Sequence, residues 1–188
     1  MRDLVAIGAS WGGLHAIGTV LGSVPADLPA AIVVAQHRGS DHDLLAPLLD
    51  KVSRLPVRDA DDKDPLEPGT VLVAPRQYHL LVEGDSVALS TDEPVAFSRP
   101  SIDVLFETAA SARGERVIGV ILSGANADGA AGLAAIRRRG GVAIVQDPGT
   151  AERPEMPQAA LAACPDARVR RLEEIGPELG RICVGAAR

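Results

Sequence analysis

One serine in this 188-residue chain stands where a hydroxyl can be made into a nucleophile. Gly8-Ala9-Ser10-Trp11-Gly12-Gly13 satisfies G-x-S-x-G, and the flanking residues predict a strand over 4–7 and a helix over 14–21. A sharp strand-to-helix turn needs small residues beside the serine. It lifts the hydroxyl above the sheet edge and turns the following amide, that of Trp11, toward an incoming carbonyl oxygen. Glycine-rich turns at helix N-termini also hold phosphate, but this one lacks both G-x-G-x-x-G and a P-loop lysine. A structural turn in which Ser10 merely caps the helix is the other alternative.

A serine hydroxyl is a weak nucleophile until a base takes its proton. Of the four histidines, His37 directly follows the apolar run Ala31-Ile32-Val33-Val34-Ala35-Gln36. It therefore sits at the same carboxyl edge as Ser10 if the two strands are parallel neighbours. His15, one turn into the first helix, is its rival, whereas His42 and His79 read as loop or strand-surface residues. The imidazole needs a carboxylate to fix its tautomer. Asp128, in Ser123-Gly124-Ala125-Asn126-Ala127-Asp128-Gly129 after the apolar run 117–122, takes a third strand-end position. Its alternative role is the N-cap of the helix that follows. In open α/β sheets ligands bind outside the carboxyl ends of the strands, where all three residues are expected. The order Ser, His, Asp differs from the Ser, Asp, His of α/β-hydrolases.

The elements that must position these residues alternate along the chain. Strands are predicted over 4–7, 31–35, 71–74, 117–122 and 142–145. Helices are predicted over 14–21, over 43–51 with Asp41 as cap, over 102–112 with Ser101 as cap, over 129–139 and, last, over 157–163. Residues 79–82 and 87–89 flank Gly84-Asp85 as an antiparallel hairpin inserted near one sheet edge. The fold class is α/β: a Rossmann-like, doubly wound, mostly parallel sheet with that hairpin. The acidic stretch 59–64 reads as a solvated loop.

Length and a 46% hydrophobic composition suit one domain over residues 1–188. A net charge of −6 argues against a general nucleic-acid or anionic-membrane footprint. No apolar run reaches the roughly 18 residues of a membrane span, and Cys164 and Cys183 follow no metal spacing. A cytoplasmic protein without metal or cofactor is expected.

Several motifs in one order resemble the catalytic domain of the CheB-type chemotaxis protein-glutamate methylesterases. They are Gly8 to Gly13, Gln36-His37, Val73-Ala74-Pro75 before His79, Arg99 to Phe106, Gly119 to Gly124, Asp128 to Gly132, and Met156-Pro157. The resemblance implies removal of methyl esters from chemoreceptor glutamates, with glutamine deamidation as a second activity, and a triad at Ser10, His37 and Asp128. Trp11, Gly12, Arg38, Arg99, Ala125 and Asn126 are then the oxyanion and substrate-binding candidates, the arginines steering an acidic receptor helix. Three positions depart from the family pattern: Trp11 replaces threonine, Arg38 methionine, and Gly124-Ala125-Asn126 the family's G-M-G. They leave the triad intact but alter the walls around it, which keeps open an esterase acting on another ester outside chemotaxis. A catalytically silent module that docks receptors or response regulators is the alternative from another class. The implied partner is the cytoplasmic domain of a methyl-accepting chemoreceptor. The family places a receiver domain ahead of this one, and the chain starts three residues before its first strand. The expectation is either a receiver cut away at the linker or an esterase answering to a receiver in trans.

Overall fold

A computed structural model describes residues 2–37 and 44–185. Its central sheet follows from short apolar runs buried on both faces, the signature of parallel strands covered by helices. The strands are β1 (Leu4–Ala9), β2 (Ala31–Gln36), β3 (Val57–Asp59), β4 (Val71–Val73), β7 (Val117–Ile121), β8 (Val142–Gln146) and β9 (Arg168–Arg170). They lie in the order β3-β4-β2-β1-β7-β8-β9, every pair parallel. β5 (His79–Glu83) and β6 (Ser86–Ser90) form a separate antiparallel pair.

Helices cover both faces. α1 (Gly13–Ser23), α2 (Leu45–Asp50) and α6 (Leu172–Gly185) share one core with the sheet through Ile17, Val20, Leu49, Ile175 and Leu179. α3 (Ile102–Arg113), α4 (Ala130–Arg138) and α5 (Glu155–Ala163) share the other through Phe106, Leu133 and Ala160. The hairpin packs on that second face: Leu80, Val82 and Val87 are buried there, and Val82 N–H donates to Thr108 Oγ1 on α3 at 3.1 Å.

The doubly wound sheet and the hairpin agree with the sequence reading; the differences lie at the edges. β3 and β9 are three-residue strands at the two ends of the sheet, and each includes arginine, so neither shows an apolar run. α6 is hidden in the sequence by Gly176-Pro177, which reads as a turn. Gly176 is there because α1 passes close: a Cβ would lie 2.2 Å from Ser23 Oγ and 2.8 Å from Val20 O. The predicted start of α2 at Asp43 and its cap Asp41 lie outside the described residues, and the helix is described from Leu45.

Candidate active site

The strand ends deliver the chemistry to one edge. β1 finishes at Ala9, and Ser10 N–H donates across to Ser123 O at 2.9 Å, just past β7. The chain then turns, with Gly13 N–H on Ser10 O at 2.9 Å and Gly12 at φ 75°, and enters α1. Two close approaches demand glycine here. A Cβ on Gly13 would lie 2.9 Å from the Gln36 side chain, and one on Gly124 would meet Ser10 Cβ at 3.0 Å and Met156 at 2.7 Å. Buried Ser123 clamps the turn: its hydroxyl donates to Trp11 O and accepts from Arg153 N–H, each at 2.9 Å. One strand over, His37 N–H donates to Ala9 O at 3.1 Å, so the imidazole rises from the end of β2 beside Ser10.

Asp128 reaches that imidazole from the loop after β7. His37 Nε2–H donates to Asp128 Oδ2 at 2.7 Å, and their side chains are 13% and 1% exposed. The carboxylate also accepts from Ile102 N–H at 2.7 Å, Asp103 N–H at 2.9 Å and Ser101 O–H at 3.0 Å. Those amides open α3, so Asp128 occupies the N-terminus of α3, where donors and helix dipole favour negative charge. Its alternative role as N-cap of α4 is not what it does. Gly129, at φ 94°, takes that place, and Asp103 Oδ1 accepts from Gly132 N–H at 2.7 Å inside the first turn of α4. The two carboxylates are thus exchanged between the two helix starts.

Their environments push them apart. Burial is the largest influence on Asp128 and favours its neutral form, but the His37 hydrogen bond and the Asp103 and Ile102 amides together outweigh it and hold its carboxyl below the usual range. Asp103 goes the other way, raised by burial first, against the Gly132 amide, and then by the negative charge of Asp128.

One correction concerns a residue read as peripheral, and one contact adds to a residue read as a substrate-binding candidate. His79 is buried rather than on a strand surface. Its Nδ1 accepts from Ser101 N–H and its Nε2–H donates to Glu93 O, each at 3.1 Å, so it ties the segment before α3 to the loop beyond β6. Asn126 touches the imidazole itself, its Nδ2 lying 3.1 Å from His37 Nδ1. Neither was legible from spacing, because the partners lie 22 and 89 residues away.

Ser10, His37 and Asn126 line one wall of an open cleft of about 390 Å³, and residues 96–100 line the other. Val95 and Ser98 exchange two backbone hydrogen bonds, and the turn between them holds Ala96 and Phe97 at positive φ, with Phe97 fully exposed. Arg99 lines the cleft while its Nη1 donates to Thr91 O and Asp92 O, so it pins this wall. Trp11, 59% exposed, donates from Nε1 to Glu152 at 2.8 Å and carries Arg153 over its ring at 5.5 Å. Its indole is therefore held by residues 152 and 153, and Gly12 lies beside the same Glu152. No hydrogen bond among the described residues uses the backbone N–H of Trp11 or Ala125. Arg38 lies outside the described residues. A larger groove of about 550 Å³ over α1 and α2 is lined by Leu14, His15, Gly18, Leu48 and Val52 among others, and none of its described lining residues is a carboxylate that could orient His15.

The family described as CheB methylesterase matches residues 5–179. A relative from Leptospira interrogans serogroup Icterohaemorrhagiae serovar copenhageni (strain Fiocruz L1-130) is named "Putative protein-glutamate methylesterase/protein-glutamine glutaminase". It is 45% identical over 176 residues, which are 92% of this chain and 91% of the relative. The protein-glutamate methylesterase/protein-glutamine glutaminase of Symbiobacterium thermophilum is 42% identical over 162 residues, 85% of this chain but 45% of its own length. The crystal structure of the Thermotoga maritima CheB methylesterase catalytic domain superposes with a TM-score of 0.90 at 29% identity, covering 97% of this chain and 99% of that one.

Proposed function

Because the chain belongs to the CheB methylesterase family, we propose that it hydrolyses glutamyl methyl esters on chemoreceptors, and deamidates receptor glutamines, through Ser10, His37 and Asp128. The observation that carries this reading is the His37–Asp128 bond at 2.7 Å, with Asp128 held by three further donors, at the edge of the cleft that Ser10 lines.

In this reading the Ser10 hydroxyl attacks the γ-carbonyl carbon while His37 Nδ1 takes its proton, and the Nε2–H bond to Asp128 stabilises the imidazolium. The amides of Trp11 and Ala125 receive the tetrahedral oxyanion; one such donor is typically worth about 3 kcal/mol. His37 returns the proton to the departing methoxide, which leaves as methanol, or to the amide nitrogen of a glutamine, which leaves as ammonia. Water, deprotonated by the same nitrogen, attacks the acyl-serine and releases the glutamate carboxylate and the free serine. The substrate is the cytoplasmic domain of a methyl-accepting receptor, so the enzyme works in the cytoplasm. In keeping with this, no helix among the described residues is long and apolar enough to cross a membrane. A receiver domain, in cis or in trans, is the proposed source of control.

The test is methanol release from radiomethylated receptor membranes by wild type and by Ser10→Ala at equal concentration, with a fluorophosphonate as a probe of serine reactivity. Release by the wild type alone supports the proposal. A folded, phosphonate-reactive protein that releases no methanol acts on a different ester, and one inert to both is a binding module.

A further inference from the structure

His37 has a partner on each ring nitrogen. Nε2 lies 2.7 Å from Asp128 Oδ2, and Nδ1 lies 3.1 Å from Asn126 Nδ2. Asp128 already receives three donors and accepts from the ring, so Nε2 carries a hydrogen. The Asn126 amide is oriented independently of the histidine. Its Oδ1 lies 3.1 Å from the Asp128 backbone N–H, a group that only donates, which turns the NH₂ end toward His37. An amide NH₂ also only donates, so Nδ1 faces it with a lone pair. The resting imidazole is the neutral Nε2–H tautomer, since a proton on Nδ1 would set two donors face to face.

That lone pair is the one that must take the serine proton, and a ring nitrogen has a single in-plane lone pair to offer. The Ser10 hydroxyl has no hydrogen bond among the described residues, and it lines the same cleft as Asn126. We propose that Asn126 is a positioning residue that holds His37 in its base-competent tautomer with Nδ1 capped, and yields that nitrogen to the Ser10 hydroxyl when substrate fills the cleft. The inference rests on Ser10 and His37 being nucleophile and base. The other charged or titratable groups set around the imidazole are Asp128 in contact, Asp103 behind it, His79 one hydrogen bond further back through Ser101, and Arg99 on the far wall, among the described residues. Asn126 is the neutral donor among them and the group that sits on Nδ1.

Asn126→Asp keeps the size of the side chain and reverses its polarity, placing an acceptor where the ring nitrogen needs a donor. The pH dependence of fluorophosphonate labelling of Ser10 reads the consequence. For Asn126→Asp the midpoint moves up by about one pH unit and labelling at pH 7 slows about tenfold, recovering at higher pH. Asn126→Ala moves the midpoint the same way by less. A loss equal at every pH, with the midpoint unmoved, overturns the proposal. Long-range ¹H–¹⁵N spectra of histidine-labelled protein test it without turnover. The Nε2–H tautomer is expected in the wild type, with the His37 Nδ1 resonance shifting in Asn126→Ala; an Nδ1–H tautomer, or an Nδ1 signal indifferent to the substitution, overturns it. A protein inert to the phosphonate would remove the nucleophile assignment, and the spectra would still decide the role of Asn126.

Discussion

Asp128 and Asp103 are chemically identical carboxylates a few bonds apart in one network, and they differ in what faces them. Asp128 accepts from an imidazole, a hydroxyl and two amides, all donors. Asp128→Asn keeps the shape but turns an NH₂ toward at least one of those donors. It is expected to cost about 2–4 kcal/mol in chemical denaturation, from unmatched buried donors, and on the order of 10⁴ in turnover from loss of the tautomer-fixing charge. Asp103→Asn retains an oxygen for Gly132 N–H and removes a charge that burial and Asp128 already disfavour, so its denaturation midpoint should stay within about 1 kcal/mol of wild type. The pH dependence follows with opposite signs. The folded-state value of Asp128 is lowered, so its contribution is complete above the ordinary carboxylate range near pH 4 and lost as pH falls through the folded value. That of Asp103 is raised, so its contribution is present below that range and lost as pH rises through the folded value. Denaturation of the wild type and of Asp128→Asn between pH 3 and 7 should therefore converge toward the acid end; a constant gap across the range would refute the assignment.

At the scale of elements, the site is a product of how α3 meets α4. Their starts exchange carboxylates, and the crossing is close enough that a Cβ on Gly132 would lie 2.6 Å from Phe106 Cβ and 3.1 Å from the Asp103 backbone. Gly132→Ala must push the helices apart. An overpacking cost of about 1–3 kcal/mol is expected, with a loss of Ser10 reactivity larger than the unfolded fraction explains, because Asp128 is held by α3. Paired denaturation and fluorophosphonate rates check this; unchanged reactivity in the folded mutant would show that the crossing does not set the geometry of Asp128. The sequence predicts both helices and the Ser101 cap, which accepts from Val104 N–H at 3.4 Å. It assigns Asp128 to the wrong helix as a cap alternative, because the first turn of α4 is the neighbour in sequence whereas the amides of α3 are the neighbours in space.

Across the whole molecule, β1 lies between β2 and β7, and the chain winds outward from it in both directions. Ser10, His37 and the 123–128 loop leave three adjacent strands, at the point where open α/β sheets place their ligands. The far edge is secured separately. Glu178 on α6, its side chain 8% exposed, receives Arg168 at 2.8 Å and Arg170 at 3.3 Å from β9, and Arg181 at 2.7 Å from its own helix. Arg181 is the largest influence holding its carboxyl below the usual range, against burial. Glu178→Ala leaves three arginines around an empty position. A loss of about 1–3 kcal/mol is expected, discounted because the arginines are partly exposed, with Ser10 labelling per folded molecule unchanged. A fall in that labelling would mean that the edge and the site are coupled.

The α/β class, the strand-to-helix turn at Ser10 and the positions of His37 and Asp128 at strand ends were all legible in the order of residues. These are local matters: periodicity, glycine spacing and the length of apolar runs act over a few residues. Packing, by contrast, puts Asp128 at the N-terminus of α3, buries His79 under Ser101, sets Asn126 on Nδ1 of His37 and carries α6 through a Gly-Pro pair. Each of these depends on a partner brought close by the packing of helices across the sheet. A polar group shows no preference in the sequence for which distant donor or acceptor will satisfy it; burial imposes the requirement, and the crossing of the elements selects the partner.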